Sequence, residues 1–192
     1  MAIRIDRVVT RGGDLGETSL GDGARVSKDS LRVESFGTVD EANAAIGLIR
    51  LHTADQPDPD AMLARIQNDL FDLGADLCTP EPADGEEAGR ARLRMSAAPI
   101  ERLEAEVTAM NAVLPPLTSF VLPGGTPAAA YAHLARTIVR RAERLVVALA
   151  AAEPVNPLAI RFLNRLSDHL FVLSRSLNAG SGREVVWVPG GR

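Results

Sequence analysis

"TPAAAYAHLARTIVRRAERLVVALAAAE", Thr126 to Glu153, is the stretch whose reading decides the fold. Thr126 is a good N-cap, Pro127 suits the first helical position, and no further glycine or proline interrupts the run. At about 100° per residue, Leu134, Ile138, Ala142, Leu145 and Leu149 are predicted on one side, with His133, Arg136, Arg140, Glu143 and Arg144 on the other. One side reads as core and the other as a cation stripe. Two readings of the stripe stand side by side. It is a solvated face, or it meets a polyanion or partner carboxylate, because arginines at i, i+4 and i+8 repel and guanidinium forks fit such oxygens.

Outward from this helix the start signals recur. Thr38-Val39-Asp40-Glu41 has the capping-box form, and Asp58-Pro59 and Asn156-Pro157 repeat the cap-then-proline pattern. Helices are predicted over Val39–His52, Pro59–Cys78, Ala97–Leu114, Pro127–Ala152 and Pro157–Asn178. The expected fold is therefore all-α, a five-helix bundle with ferritin-like up-down packing. Residues 1–192 are read as one domain, with an arm over 1–37, a bundle over 38–178 and a tail over 179–192 laid on the bundle as an extended segment. In the last helix Phe162, Leu163, Leu166, Leu170 and Leu173 form the apolar side, while Arg161, Asn164, Arg165 and Asp168 line the polar one. Asn164 offers the donor and acceptor needed to read an adenine edge; exposed pairing among its charged neighbours is the competing reading. His133 and His169 read as packing or surface residues.

Composition narrows the classes. With 192 residues, 46% of them hydrophobic, the chain buries roughly 70% of its unfolded surface, enough for one full core. A formal net charge of -4 argues against a general nucleic-acid or anionic-membrane binder. The single cysteine, Cys78, excludes an internal disulfide and any cysteine-cluster metal site, and it sits among apolar residues as a small hydrophobe would. "MAIRIDRVVTRGG" has no apolar signal core, and no run approaches the roughly 18 residues of a membrane span, so a cytoplasmic protein is expected. No helix carries the E-x-x-H pair of a di-iron bundle, and no metal site is predicted. The acidic segment Thr79–Arg90 reads as a solvated loop.

The opening "VVTRGGDLGETSLGDGARVSKDSLRV", Val8 to Val33, is rich in glycine and polar side chains. It lacks the P-loop order and no βαβ pattern surrounds it. Its glycine amides can form an anion nest, with hydroxyls from Thr10 and Thr18 and charge from Arg11, Arg25 and Lys28. A disordered arm is the alternative.

Four segments taken together resemble one family, the PduO-type ATP:cob(I)alamin (corrinoid) adenosyltransferases: "TRGGDLGETSL", "RVSKDSLRVESFGTVDEANAAIG", "SFVLPGGTPAAAYAHLARTIVRRAERL" and "FLNRLSDHLFVLSR". They stand in the family's order over nearly the whole chain. The resemblance implies a homotrimer of five-helix bundles with ATP at each subunit interface. It also implies transfer of the 5′-deoxyadenosyl group of ATP, with Mg²⁺, to the cobalt of cob(I)alamin. By the same resemblance Thr10, Arg11, Gly12, Gly13, Gly16, Thr18 and Lys28 hold the triphosphate, and Arg136, Arg140, Glu143 and Asn164 meet the nucleotide from the adjoining subunit. Asp40 pairs with Arg136 across the interface, and Phe120 lies against the corrin and keeps the lower ligand from cobalt. Hand-off of the product to an adenosylcobalamin-dependent enzyme is a further implied partnership. Arg11 stands where the family commonly has lysine, and Ala42 where it commonly has leucine. A carrier or sensor that binds without transferring, and a plain bundle with a solvated stripe, are the competing functions.

Overall fold

The computed structural model describes residues 6, 8–81 and 92–191. Most of the acidic loop, and the first residues of the N-terminal stretch, lie outside them. Five helices follow a small hairpin: β1 (Glu17–Ser19), β2 (Arg25–Ser27), α1 (Leu31–Arg50), α2 (Pro57–Cys78), α3 (Ala97–Ala112), α4 (Pro127–Ala152) and α5 (Pro157–Asn178). Side-chain contacts set the register. Arg32 meets Glu153, Glu41 meets Arg141, and His52 stacks on Tyr131, so α1 and α4 run antiparallel. Asn164 on Glu143 and Ser174 on His133 make α4 and α5 antiparallel too. Arg165 on Glu104 and His169 on Glu106 run α3 parallel to α5. In space the order is α2, α1, α4, α5, α3.

Two of the predicted helices, α4 and α5, match the expected bounds, and their caps form as read. Thr126 accepts from the Ala129 amide and Asn156 from the Leu158 amide. Helix α1 differs. It starts at Leu31, eight residues ahead of the expected Val39, so Thr38 is no cap: it is buried, and its hydroxyl donates to the Glu34 carbonyl. Glu41 points to Arg141 instead of closing a capping box. The reason is tertiary. Arg32 and Ser35 are buried, and the Arg32 guanidinium donates to the Leu77 carbonyl at 2.6 Å and to Glu153 at 2.8 Å. One side chain thus caps a carbonyl at the end of α2 and pairs with the C-cap residue of α4, and this draws two more turns into the helix. The arm therefore ends at Ser30, and residues 31–37 belong to the bundle. Helix α2 begins at Pro57 after Gln56, not at Asp58-Pro59, because both prolines fit among amides that need no helical partner.

The core face of α4 is rotated from the expected one. Ala128, Ala132, Ala135, Val139, Ala142, Val146 and Leu149 are buried, while Leu134 is 46% exposed and Ile138 and Leu145 are only partly covered. As the central helix, α4 has α1 on one flank and α5 on the other, and alanines let all three backbones approach. On α5 the predicted apolar side is buried throughout. His133 also moves from the polar side to the interior, where its ring meets Ser174 at 3.1 Å and the edge of Phe171.

Candidate functional site

The opening arm is ordered by its own contacts. β1 and β2 pair antiparallel with Thr18 opposite Val26, and the Lys28 amide donates to the Gly16 carbonyl. The cations grip the glycine turn: Lys28 Nζ donates to the Gly13 carbonyl and Arg25 to the Gly12 carbonyl, each at 2.8 Å. Gly13 leaves room for this contact: a Cβ there would lie 2.8 Å from Lys28 Nζ, which would have to swing away, and 3.3 Å from the Glu17 carbonyl. Leu20 is buried, and the Gly21 amide bonds the Cys78 carbonyl, fastening the hairpin to the end of α2. Thr10, Arg11, Gly12, Gly16 and Lys28 are exposed around this turn, and Arg11 sits at a positive φ of 59°. Some glycine-turn amides are engaged already, since Asp14 and Gly16 donate to the Arg11 and Gly13 carbonyls. The described part of the segment is a folded hairpin, where the sequence left an anion nest and a disordered arm as alternatives.

The groove between α4 and α5 gathers a second set. Arg140, Glu143, Arg144, Val147 and Asn164 line an open pocket of about 340 Å³, and Asn164 donates to Glu143 at 3.0 Å. Arg136 lies one turn before Arg140. Burial, and then the neighbouring Arg140, push its pKa down, and its Nε is buried without a hydrogen-bond partner. A guanidinium stays charged in proteins, so this is an unsatisfied cationic donor beside the pocket. His133 is pushed down by burial and then by Arg136, which keeps it neutral there. Arg165 is engaged elsewhere, in pairs with Glu104 at 2.9 Å and Asp168 at 3.0 Å, so that part of the α5 polar side is an ion network.

Asp40 lies in a different groove. With Phe36, Val39, Asn43, Phe71 and Cys78 it lines a largely apolar cleft of about 470 Å³ between α1 and α2. It is exposed, and its expected partner Arg136 belongs to the α4/α5 side. Cys78 is half-buried in that cleft as a small hydrophobe.

Phe120 stands on the long connection between α3 and α4 and is 77% exposed. That connection is clamped at both ends by α5. Arg175 donates to the Pro115 carbonyl at 2.9 Å, while Asn178 accepts from the Thr126 amide and donates to the Gly124 carbonyl. The tail runs alongside this connection, in an antiparallel bridge of Val121 with Val186. It brings Trp187 to Phe120, ring centres 6.1 Å apart. Trp187, Arg175 and Asn178 escaped the sequence reading. For Trp187 the one available signal was a lone tryptophan in a chain 4% aromatic; for the others the signal lies in which backbone carbonyls they reach.

The hairpin with its exposed cations, the guanidinium-lined pocket and the exposed aromatic edge lie on separate parts of the chain, and the first two carry donors suited to an anionic ligand. The family model described as "Cobalamin adenosyltransferase" matches residues 8–177. The chain is 47% identical over 194 residues to a corrinoid adenosyltransferase of Mycobacterium leprae, covering 100% of each. It is also 47% identical over 188 residues to a cobalamin adenosyltransferase of Cupriavidus metallidurans, covering 97% of each. Among solved structures it is similar to a variant PduO-type ATP:corrinoid adenosyltransferase from Lactobacillus reuteri complexed with cobalamin and ATP, at TM-score 0.85 and 35% identity over 94% of this chain and 99% of that one. The chain belongs to the cobalamin adenosyltransferase family.

Proposed function

We propose that the protein transfers the 5′-deoxyadenosyl group of ATP to the cobalt of a reduced corrinoid, forming a cobalt–carbon bond and releasing triphosphate. One observation carries the reading: the site residues fall into sets that a single chain does not bring together. The hairpin docks on the end of α2, and Asp40 lies in the α1/α2 cleft, which also reaches Cys78. Arg140, Glu143 and Asn164 line the α4/α5 groove with Arg136 beside them. A site assembled between copies joins these sets, and the guanidinium of Arg136, a residue only partly buried in the single chain, then has a carboxylate to meet in a neighbour's Asp40. The assembly is a homotrimer, each chain acting as one unit over its whole length.

In this site Thr10, Arg11, Gly12, Gly13, Gly16, Thr18 and Lys28 hold the triphosphate, while Arg136, Arg140, Glu143 and Asn164 hold the nucleotide from the adjoining copy. Co(I) supplies the electron pair that attacks the 5′ carbon in line, and the C–O bond to the triphosphate breaks. Nothing on the protein has to act as nucleophile. Lys28 and the arginines stabilise charge gathering on the departing oxygens, and fixed orientation supplies much of the rest. Mg²⁺, entering with ATP, would add its charge to that of Lys28 and the arginines in stabilising the departing triphosphate. Phe120 excludes the lower axial ligand, whose donation into the metal opposes reduction to Co(I). The same reading places the enzyme in the cytoplasm, with its product passing to an adenosylcobalamin-dependent enzyme; no described helix is long and apolar enough to cross a membrane.

The test is incubation with ATP, Mg²⁺ and chemically reduced cobalamin, following the cobalt–carbon product spectrum and triphosphate together. Formation of both in equal amounts is expected. Absence of the spectrum, or release of phosphate and diphosphate in place of triphosphate, refutes the assignment.

A further inference from the structure

Two exposed aromatic side chains sit on extended segments that meet at one isolated antiparallel bridge, Val121 with Val186. Phe120 is 77% exposed and Trp187 44%. The segments are joined by the Trp187 amide to the Phe120 carbonyl at 2.6 Å, the Leu122 amide to the Val185 carbonyl at 2.8 Å, and the Ser119 hydroxyl to the Trp187 carbonyl at 2.6 Å. An isolated two-stranded pair is marginal in water. What fixes this one lies at its roots. Arg175 on α5 is 5% exposed, and its guanidinium makes two directed contacts. Nη2 donates to the Pro115 carbonyl at 2.9 Å, and Nε to Glu184 Oε2 at 3.1 Å. Phe120 is five residues beyond the first contact and Trp187 three beyond the second. The neighbours of Arg175 on the helix, Leu173 and Ser174, are fully buried, so the fork projects from a rigid part of the bundle.

We propose that Arg175 and Glu184 are positioning residues for the corrinoid-facing edge, one buried guanidinium tethering both segments so that Phe120 and Trp187 present a single apolar surface. The inference rests on the reading that Phe120 meets the corrinoid, and it adds a residue pair that touches no substrate. Arginine suits the task because its planar fork aims separate donors at a carbonyl and a carboxylate at once, whereas lysine carries one point charge. A carboxylate on Glu184 makes the tail contact charge-assisted, roughly twice as strong as a neutral one. Glu184 is half-buried, so its conversion to an amide leaves the core intact.

Trp187 is the chain's single tryptophan, and its fluorescence reports the tether directly. In substrate-free protein, Glu184→Gln is expected to red-shift Trp187 emission and increase its quenching by acrylamide. In the transfer reaction the same variant raises the KM for the corrinoid about tenfold while leaving the KM for ATP in place. Arg175→Lys shifts fluorescence and corrinoid KM the same way; if burial makes that variant unstable, Glu184→Gln carries the test alone. Unchanged fluorescence in Glu184→Gln overturns the tether. So does a fluorescence change accompanied by equal rises in both KM values, which is the signature of general loosening, or by no rise in either. Failure of the function itself is seen separately, as absence of transfer in the unsubstituted protein, and the fluorescence comparison then still decides the tether.

Discussion

Gly125→Ala probes the other clamp on the loop that carries Phe120, and its cost follows from the local geometry. Gly125 has φ of 103°, where an L side chain is strained by about 1 to 3 kcal/mol. A Cβ there would stand 2.2 Å from Asn178 Oδ1, 2.4 Å from Nδ2 and 2.6 Å from Cγ. Asn178 has no room to yield freely: it is 3% exposed, accepts from the Thr126 amide at 2.9 Å and donates to the Gly124 carbonyl at 3.1 Å. Moving it forfeits both bonds, about 1 kcal/mol each, next to the cap of α4. The expected loss is about 3 to 5 kcal/mol. The assay is urea unfolding at one fixed protein concentration, with the slope unchanged and the midpoint lowered. Asn178→Ala alone forfeits the same two bonds, about 2 kcal/mol. The double variant removes the overlap and counts those bonds once, so it should lose clearly less than the sum of the two singles. A loss below about 1 kcal/mol for Gly125→Ala, or a double variant equal to the sum, would refute the clamp.

Three further outcomes follow from the same geometry. Arg136→Ala and Asp40→Ala should each impair turnover by about 3 to 5 kcal/mol if they form one buried interface pair, with the double variant no worse than the worse single; additive losses in kcat/KM would mean the two never meet. Phe120→Ala should keep ATP affinity and slow transfer to cobalamin, yet hardly affect a corrinoid without the lower ligand such as cobinamide, and equal losses on both would remove the ligand-exclusion role. Glu106 provides the pH test. Burial acts to raise its pKa, but the hydrogen bonds from His169 and Arg65 outweigh burial and hold the carboxyl below the usual range. A depressed folded pKa gives stability that is present above the unfolded value and is lost as pH falls through the folded one. Acid unfolding of Glu106→Gln should therefore depend less steeply on pH in the window just below the ordinary glutamate range, and an unaltered slope would argue against the pair.

Much of the bundle was legible because its signals are local. The Thr126-Pro127 and Asn156-Pro157 starts are short-range hydrogen-bond chemistry, and the 3.6-residue period of α5 placed Phe162, Leu163, Leu166, Leu170 and Leu173 inside, where they are. The start of α1 was misread because Gly37 and Thr38 look like a boundary to any local rule. Burial of Arg32 between the ends of α2 and α4 overrides that rule, and it depends on residues 45 and 121 positions away in the chain. The α4 core face was misplaced for a similar reason. Pattern reading ranks leucine above alanine as core, whereas a helix flanked on both sides buries its small residues and leans the large ones outward.

The candidate site divides along the same line. By itself the sequence determined the residue types: the guanidinium stripe of α4, Asn164 on the polar side of α5, and the glycine-rich opening with Lys28. These are properties of composition and spacing, and helical periodicity is enough to put Arg140 and Glu143 on one face. Tertiary structure alone decided that Asn164 reaches Glu143 across two helices, that Asp40 belongs to another groove from Arg136, and that the tail returns to lay Trp187 against Phe120. It also decided that the opening segment is a hairpin, since Leu20 and Gly21 find their partners at the end of α2. Periodicity reports which way a side chain points from its own helix axis. Which partner waits there depends on chain closure over long separations, and that is settled only when the helices pack.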